Sequence, residues 1–256
     1  MEHSRRDIIA AAFAALSFTC GLNLTAKAAY RSRTGCCIAP MDFGLLATSL
    51  NDPPSQFDIE TSPIIGSSGR GDDFDFALGE VLAMLAGFFN IRPGFGFYDD
   101  SSGYNALAAQ VNRVPKTQNT VVFGLGLLNK FLDRQHGEFA IVAVCAHEFA
   151  HILQYETGEY TRVKNSLPSE YCVELHADFL AGFFMGAFEK ARPATRLWGV
   201  GNAWRELGSS DFNKPGTHGT SEQRIRAIEG GYFYFQDTND LRQALNAAFN
   251  HVRSEA

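Results

Sequence analysis

The stretch His147–His151, with the sequence His-Glu-Phe-Ala-His, constrains the fold of this chain more than any other. It lies inside an apolar run from Phe139 to Leu153, and this run predicts a buried helix. At about 100° per residue, positions 147 and 151 are roughly 40° apart on one helix face. Burial of two histidines and Glu148 without a partner is unfavourable, so the pattern requires a group that compensates them.

A metal ion is one such group. Two imidazoles one turn apart can chelate a Zn²⁺ ion, which leaves a third protein ligand and a water to complete a tetrahedron. Glu148 directly follows His147, about 60° around the helix from His151, close enough to take a proton from that water. The alternative is a chance match on a partly exposed helix.

A second pair of acidic residues can complete the site. Glu174 and Asp178 are four residues apart on a helix predicted from Ser169 to Lys190, so they share one face. One carboxylate can bind the metal while the other accepts the ring N–H of a ligand histidine and fixes its tautomer. Two acids on one face of an apolar helix are not typical of a solvated surface, and they strengthen the prediction of a metal site.

The start of the chain predicts export. In residues 1–28, Arg5 and Arg6 precede an apolar run, and Ala26-Lys27-Ala28 provides the small residues that a signal peptidase recognises. The segment resembles a twin-arginine signal peptide, and a membrane anchor is the alternative. Polar residues interrupt the short apolar run, which disfavours an anchor. We therefore expect a bacterial protein that is periplasmic or secreted, with no stable membrane insertion after the signal is removed.

The rest of the chain is expected to form an arm and one domain. Residues 29–71 lack periodicity and carry turn-forming Gly, Pro and Ser, which indicates an irregular arm that lies over the domain or is partly mobile. Residues 72–256 are long enough for one substantial domain. The expected fold class is α+β, mainly helical, with a small β element at Thr120–Gly124 just before the metal helix.

Further helices are predicted from apolar periodicity and from capping signals. Thr220 and Gln223 form a capping box that opens a short helix, and Asp237 or Thr238 caps the last helix. Between residues 91 and 119 we expect loops or short strands. The remaining predicted helices span residues 75–90, 126–132 and 194–207.

The net charge of the chain limits its possible binding partners, and its cysteines decide which disulfide bonds it could form. The formal net charge of the 256-residue chain is −6, which argues against nucleic acid or an anionic membrane as the partner. Cys145 and Cys172 each stand two residues before a candidate metal ligand. They could form a disulfide bond in an exported protein or remain buried free thiols.

Three blocks of the sequence resemble the bacterial neutral zinc metallopeptidases. They are His147–Gln154, Glu174–Gly182 and Thr217–Arg224, in the expected order, and the resemblance covers about residues 75–230. The blocks are similar, more distantly, to the H-E-x-x-H peptidases that include the CAAX-prenyl endopeptidases, without the membrane spans of those proteins. The resemblance implies a gluzincin-like metallopeptidase domain of the zincin type.

The resemblance also implies roles for individual residues. His147, His151 and Glu174 would bind Zn²⁺. Glu148 would act as the general base, and Asp178 would hold a ligand histidine. The implied reaction is the hydrolysis of a peptide bond in a peptide or protein substrate by a zinc-activated water.

Such a reaction also needs a hydrogen-bond donor to the oxyanion that forms on the substrate carbonyl oxygen. His218 is the candidate, because the block at 217–224 resembles a region that closes on the cleft. An exposed loop histidine is the alternative for His218, and the other candidate donors are Tyr155, Tyr160 and Tyr171. Arg224 is expected to be structural and to pair with an acid beneath the site. The strand at Thr120–Gly124 either lines the cleft, where substrate can add as a further strand, or is an ordinary core strand.

Two other classes of function are compatible with the sequence. The first is an exported zinc-binding or chaperone-like protein that retains the peptidase fold without hydrolysing peptides. Glu148 argues against this class, because a non-catalytic site has no need of a base there. The second is a purely structural helical domain, which the pair Glu174 and Asp178 disfavours.

Overall fold

The computed structural model describes residues 59–100, 105–134, 137–167, 169, 171–192 and 219–256. The predicted signal peptide, most of the predicted arm, the predicted helix at 194–207 and His218 lie outside these residues. Within the described ranges the chain is mainly helical and has a three-stranded sheet, in agreement with the expected α+β class. No described helix has the length and hydropathy of a membrane span.

The described helices and strands follow the order that the sequence predicts. They are α1 (Asp72–Phe89), β1 (Gly94–Tyr98), β2 (Ala106–Ala109), β3 (Thr120–Gly124), α2 (Leu125–Leu132), α3 (Gly137–Thr157), α4 (Glu159–Ser166), α5 (Tyr171–Ala191), α6 (Ser221–Asp237) and α7 (Leu241–Glu255). Helix α4 is not predicted, because it buries a single residue, Val163, and so has no apolar stripe in its sequence.

Helix α3 forms the centre of the domain. Its side chains are buried from Phe139 to Gln154, because the sequence is apolar around most of the circumference of the helix. It packs against α1, α2, α4, α5 and the sheet. The contacts between α3 and α5 run in opposite chain directions, His147 with Asp178 and Gln154 with Val173, so the two helices are antiparallel. Both sequence motifs therefore lie in one interface.

Strand β3 is the central strand, in the order β1-β3-β2. β1 pairs with it in parallel, with Gly94 opposite Thr120. β2 pairs with it in the antiparallel direction, with Ala106 opposite Phe123. Because both edges of β3 are paired, the structure agrees with the second of the two expected roles, an ordinary buried core strand. The edge strand β2 packs against α3.

The described end of the predicted arm, residues 59–71, contacts the domain. Ile65 forms an isolated antiparallel bridge with Phe97 of β1. The guanidinium of Arg113 donates to the backbone carbonyl oxygens of Ile59 and Ser62. These contacts cover part of the outer edge of β1.

Helices α5 and α6 approach each other closely because glycines lie at their crossing. A Cβ atom at Gly182 would lie 2.0 Å from the carbonyl oxygen of Ile228, and one at Gly231 would lie 1.8 Å from that of Phe179. Any larger side chain at these positions would separate the two helices. The close approach brings Arg224, near the start of α6, to α5.

The start of α6 has the predicted capping box. The Thr220 hydroxyl accepts the N–H of Gln223, and the Gln223 side-chain oxygen accepts the N–H of Thr220. The prediction that this helix is short is wrong. It continues to Asp237, because an apolar face that includes Ala227 and Phe235 stays buried along it.

The cap of the last helix also differs from the prediction. The carboxylate of Asp240 accepts the backbone N–H groups of Arg242 and Gln243 and so caps α7. Asp237 is the last residue of α6, and the backbone N–H of Thr238 bonds to that helix, so neither residue caps α7.

Gly182→Ala should destabilise the protein by about 2–3 kcal/mol, because the new Cβ atom overlaps the Ile228 carbonyl oxygen and forces α5 and α6 apart. Chemical denaturation followed by far-ultraviolet circular dichroism measures this change. The matched control is Gly87→Ala at an exposed position of α1, which should stabilise the protein by up to about 1 kcal/mol. Equal effects of the two substitutions would contradict the packing at the crossing.

Candidate metal centre

Three side chains of α3 and α5 converge where these helices meet. Nε2 of His147 lies 3.0 Å from Nε2 of His151. One carboxylate oxygen of Glu174 is 3.4 Å from Nε2 of His147, and the other is 3.6 Å from Nε2 of His151. Both histidines are buried, and Glu174 is partly exposed. His147, His151 and Glu174 therefore form a cluster that could hold a metal ion.

The separations of these atoms suit a small divalent cation. Ligand atoms held at about 2.0–2.2 Å from a tetrahedral ion lie about 3.3–3.6 Å apart. Each carboxylate oxygen of Glu174 has one separation in this range, 3.4 Å from Nε2 of His147 for one oxygen and 3.6 Å from Nε2 of His151 for the other, and the distance between the imidazoles, 3.0 Å, is slightly shorter. Imidazole nitrogen and carboxylate oxygen are ordinary ligands of such ions in proteins. The three side chains are therefore of the right type and close enough together to hold such an ion.

An acid and a guanidinium lie beneath His147. Nδ1 of His147 is 2.8 Å from Oδ1 of Asp178. Arg224 donates from Nε and from a terminal nitrogen to the two oxygens of Asp178, at 2.7 and 2.8 Å. Arg224 thus pairs with an acid beneath the site, as the sequence predicts. Asp178 holds the imidazole so that Nε2 faces His151 and Glu174.

Opposite charges decide the protonation of this buried pair. Burial would raise the pKa of Asp178, but Arg224 and His147 outweigh burial and lower it below its ordinary value. Burial would lower the pKa of His147, but Asp178, Glu174 and Glu148 reverse the effect and raise it to about 10. In the metal-free protein, His147 therefore holds a proton at neutral pH.

His151 is held by an amide. Its Nδ1 lies 2.8 Å from Oε1 of Gln154. The Gln154 amide nitrogen donates to the backbone carbonyl of Val173 at 2.9 Å and lies 3.1 Å from Nδ1 of His176. Gln154 and His176 are both completely buried. The two ligand histidines therefore have different supports, a carboxylate for His147 and an amide for His151.

Glu148 is buried beside the cluster, with 8% of its surface exposed. Burial raises the pKa of its carboxyl group above the ordinary value, and His147 and His151 oppose the rise only in part. A raised pKa makes a carboxylate a stronger base than an ordinary glutamate. This is the property that a general base in a hydrolase requires.

Among the tyrosine candidates, Tyr155 contacts a ligand directly. Its ring stacks beside His151 with the ring centroids 6.5 Å apart. Burial, Tyr160 and the nearby carboxyl groups raise the pKa of Tyr155 to about 12, so its hydroxyl stays protonated and can donate. Tyr160 packs against Tyr155. The prediction for His218 falls outside the described residues.

The two described cysteines are buried free thiols. The disulfide alternative for Cys145 and Cys172 is therefore wrong. Burial and the charge of Glu148 raise the pKa of Cys145, so it remains a neutral thiol. Neither cysteine belongs to the cluster of metal-binding residues.

The sequence does not predict the positions of Gln154 and His176 beside the cluster. One feature of the sequence indicates a role for Gln154, because its side-chain amide lies about one turn after His151 in an otherwise apolar helix. A buried amide needs hydrogen-bond partners. The partners themselves, Val173 and His176, lie on another helix. Only the packing of α3 against α5 identifies them.

Comparisons with known proteins do not add a family assignment. No protein-family model matches this chain, and comparisons with curated proteins and with solved structures give no match. The resemblance of the three sequence blocks stays an interpretation of the sequence. The chemistry of the site is therefore inferred from the geometry of its residues.

Metal affinity should rise with pH, because the metal ion must displace the proton that His147 holds below its pKa of about 10. Between about pH 6 and pH 8 the association constant should increase by about tenfold per pH unit for each displaced proton. Competition titrations of the metal-free protein with zinc and a chelator of known protonation constants measure this slope. A constant affinity over the range would contradict the protonated state of His147.

Proposed function

We propose that this chain is an exported zinc-dependent endopeptidase of the zincin type, acting on peptide or protein substrates. The observation that carries the proposal is the convergence of His147, His151 and Glu174, with Glu148 buried beside them. The resemblance of residues 1–28 to a twin-arginine signal supports a location in the periplasm or outside the cell.

Zinc is the metal that best suits this set of ligands. Two imidazole nitrogens and one carboxylate leave one tetrahedral position open, which is typical of catalytic rather than structural zinc sites. A zinc ion held by these residues would lower the pKa of a coordinated water and polarise a substrate carbonyl group. Asp178 and Gln154 orient the two imidazoles before the ion binds.

Glu148 is assigned the role of general base. Its carboxylate accepts a proton from the attacking water and returns that proton to the nitrogen of the leaving amine. Burial of Glu148 raises its pKa, which makes its carboxylate a stronger base. A non-catalytic zinc-binding or chaperone-like protein, the alternative function, has no use for a buried carboxyl group at this position.

Tyr155 is the described residue that we assign as donor to the developing oxyanion. Its ring lies beside His151, and its hydroxyl keeps its proton because its pKa is raised to about 12. A protonated phenol hydroxyl can donate a hydrogen bond to negative charge on a substrate oxygen. His218, which the sequence favours for this role, stays a prediction.

The edge strand β2 supports an extended peptide as the substrate. In the described part of the chain β2 pairs with β3 on one side, and it packs against α3. An extended peptide could pair with its other side and lie alongside the metal helix. The residues Leu107–Ala109 of β2 are partly exposed, and the net charge of −6 argues against nucleic acid as a substrate.

Glu148→Gln should keep the fold and the bound zinc but reduce peptide hydrolysis by about 10²–10⁴-fold, because an amide cannot accept the proton from water. A mixed peptide library, with cleavage products identified by mass spectrometry, measures activity. Metal analysis of the same samples measures zinc.

Glu156→Gln provides the matched control for this substitution. It makes the same chemical change on the same helix at an exposed position, so cleavage should be unchanged. Equal cleavage by wild type and Glu148→Gln would reject the peptidase. Absence of cleavage by zinc-loaded wild type would do the same and favour the zinc-binding or chaperone-like alternative.

A further inference from the structure

We propose that Gln154 is a positioning residue that fixes the tautomer of His151 and so makes its Nε2 atom available to the metal ion. The proposal rests on the metal site of the proposed function and not on peptide hydrolysis. It concerns the side-chain amide of Gln154 and its three neighbours, His151, Val173 and His176.

The backbone carbonyl of Val173 decides how the amide is oriented. A carbonyl oxygen can only accept a hydrogen bond, so the Gln154 atom 2.9 Å from it must be the nitrogen. The opposite orientation would place two acceptor oxygens at that distance in a completely buried position. The amide oxygen of Gln154 therefore faces His151.

The orientation of the amide decides the tautomer of His151. The Gln154 oxygen lies 2.8 Å from Nδ1 of His151, and since this oxygen is an acceptor, Nδ1 must carry the hydrogen. The other ring nitrogen, Nε2, can then present its lone pair to the cluster, where it lies 3.0 Å from Nε2 of His147. A reversed amide would favour a hydrogen on Nε2 and oppose metal binding.

The second N–H of the amide decides the tautomer of His176. The Gln154 nitrogen lies 3.1 Å from Nδ1 of His176. Because one amide hydrogen is used by Val173, the other is directed to this ring nitrogen, which must be unprotonated to accept it. His176 therefore carries its hydrogen on Nε2, which lies 3.8 Å from a carboxylate oxygen of Glu159. Both polar atoms of the amide therefore have partners, and the Val173 carbonyl is the partner that fixes the arrangement.

This support differs from the support of His147. Asp178 is an acceptor with two equivalent oxygens and a negative charge, so it orients His147 without needing an orientation of its own. A neutral amide has one donor end and one acceptor end, so Gln154 can orient His151 only because the backbone carbonyl of Val173 first orients the amide. We therefore assign the selection of the His151 tautomer to α5 as well as to α3.

The tautomers of the wild-type protein test the proposal directly. Long-range ¹H–¹⁵N correlation spectra of zinc-loaded, ¹⁵N-histidine-labelled protein distinguish protonated from unprotonated ring nitrogens. His151 should show a protonated Nδ1, and His176 should show an unprotonated Nδ1 with a protonated Nε2. Because the donor end of the Gln154 amide faces Nδ1 of His176, a protonated Nδ1 on His176 would overturn the proposal.

Two substitutions at one position separate positioning from packing. Gln154→Leu fills a similar volume but removes the acceptor, so the zinc dissociation constant should rise by about 10–100-fold. Gln154→Glu keeps an acceptor oxygen towards Nδ1 of His151, so its zinc affinity should stay closer to wild type even though a buried charge destabilises the fold. Ile152→Val serves as the control for a small loss of packing in the same buried helix.

The outcomes distinguish this proposal from the proposed function. Positioning by the acceptor is supported if zinc affinity falls from wild type to Gln154→Glu and again to Gln154→Leu. The thermal stabilities of the three proteins should follow a different order. If both Gln154 variants bind zinc as tightly as Ile152→Val, the proposal fails while the metal site stands. If the wild type takes up no zinc, the metal site and this proposal both fail.

Discussion

The buried charge between α3 and α5 is the constraint on which the rest of the structure depends. His147, Glu148 and Asp178 are almost excluded from solvent, and such groups are stable only where partners replace the water that they lose. Arg224 supplies a partner for Asp178 through two hydrogen bonds. A metal ion bound to the imidazoles would replace the water that His147 and its neighbours lose. The central helix can therefore be apolar along most of its length and still carry ionisable groups at its middle.

Local periodicity explains why much of the site could be predicted from the sequence. His147 and His151 share a helix face because they are four residues apart, and Glu174 and Asp178 share another for the same reason. The structure brings the two faces together. The capping box at Thr220 is equally local, since its hydrogen bonds span three residues. In each case the geometry of one helix turn is enough to relate the residues.

Contacts between distant segments explain what could not be predicted. β3 became the central strand by pairing with two separate segments, and no pattern within Thr120–Gly124 indicates how many partners it has. The crossing of α5 and α6 depends on Gly182 and Gly231, which are far apart in the sequence. The role of Gln154 could not be predicted for the same reason, because the orientation of its amide depends on the backbone carbonyl of Val173 in another helix. Sequence periodicity places such residues on a face but does not identify what they meet.

Crystallography at the zinc absorption edge tests the central claim most directly. In crystals of the zinc-loaded protein, an anomalous peak should lie between α3 and α5, within about 2.0–2.2 Å of Nε2 of His147, Nε2 of His151 and a carboxylate oxygen of Glu174. A peak held by other residues would contradict the assignment of the ligands. The absence of any peak after zinc addition would contradict the metal site itself.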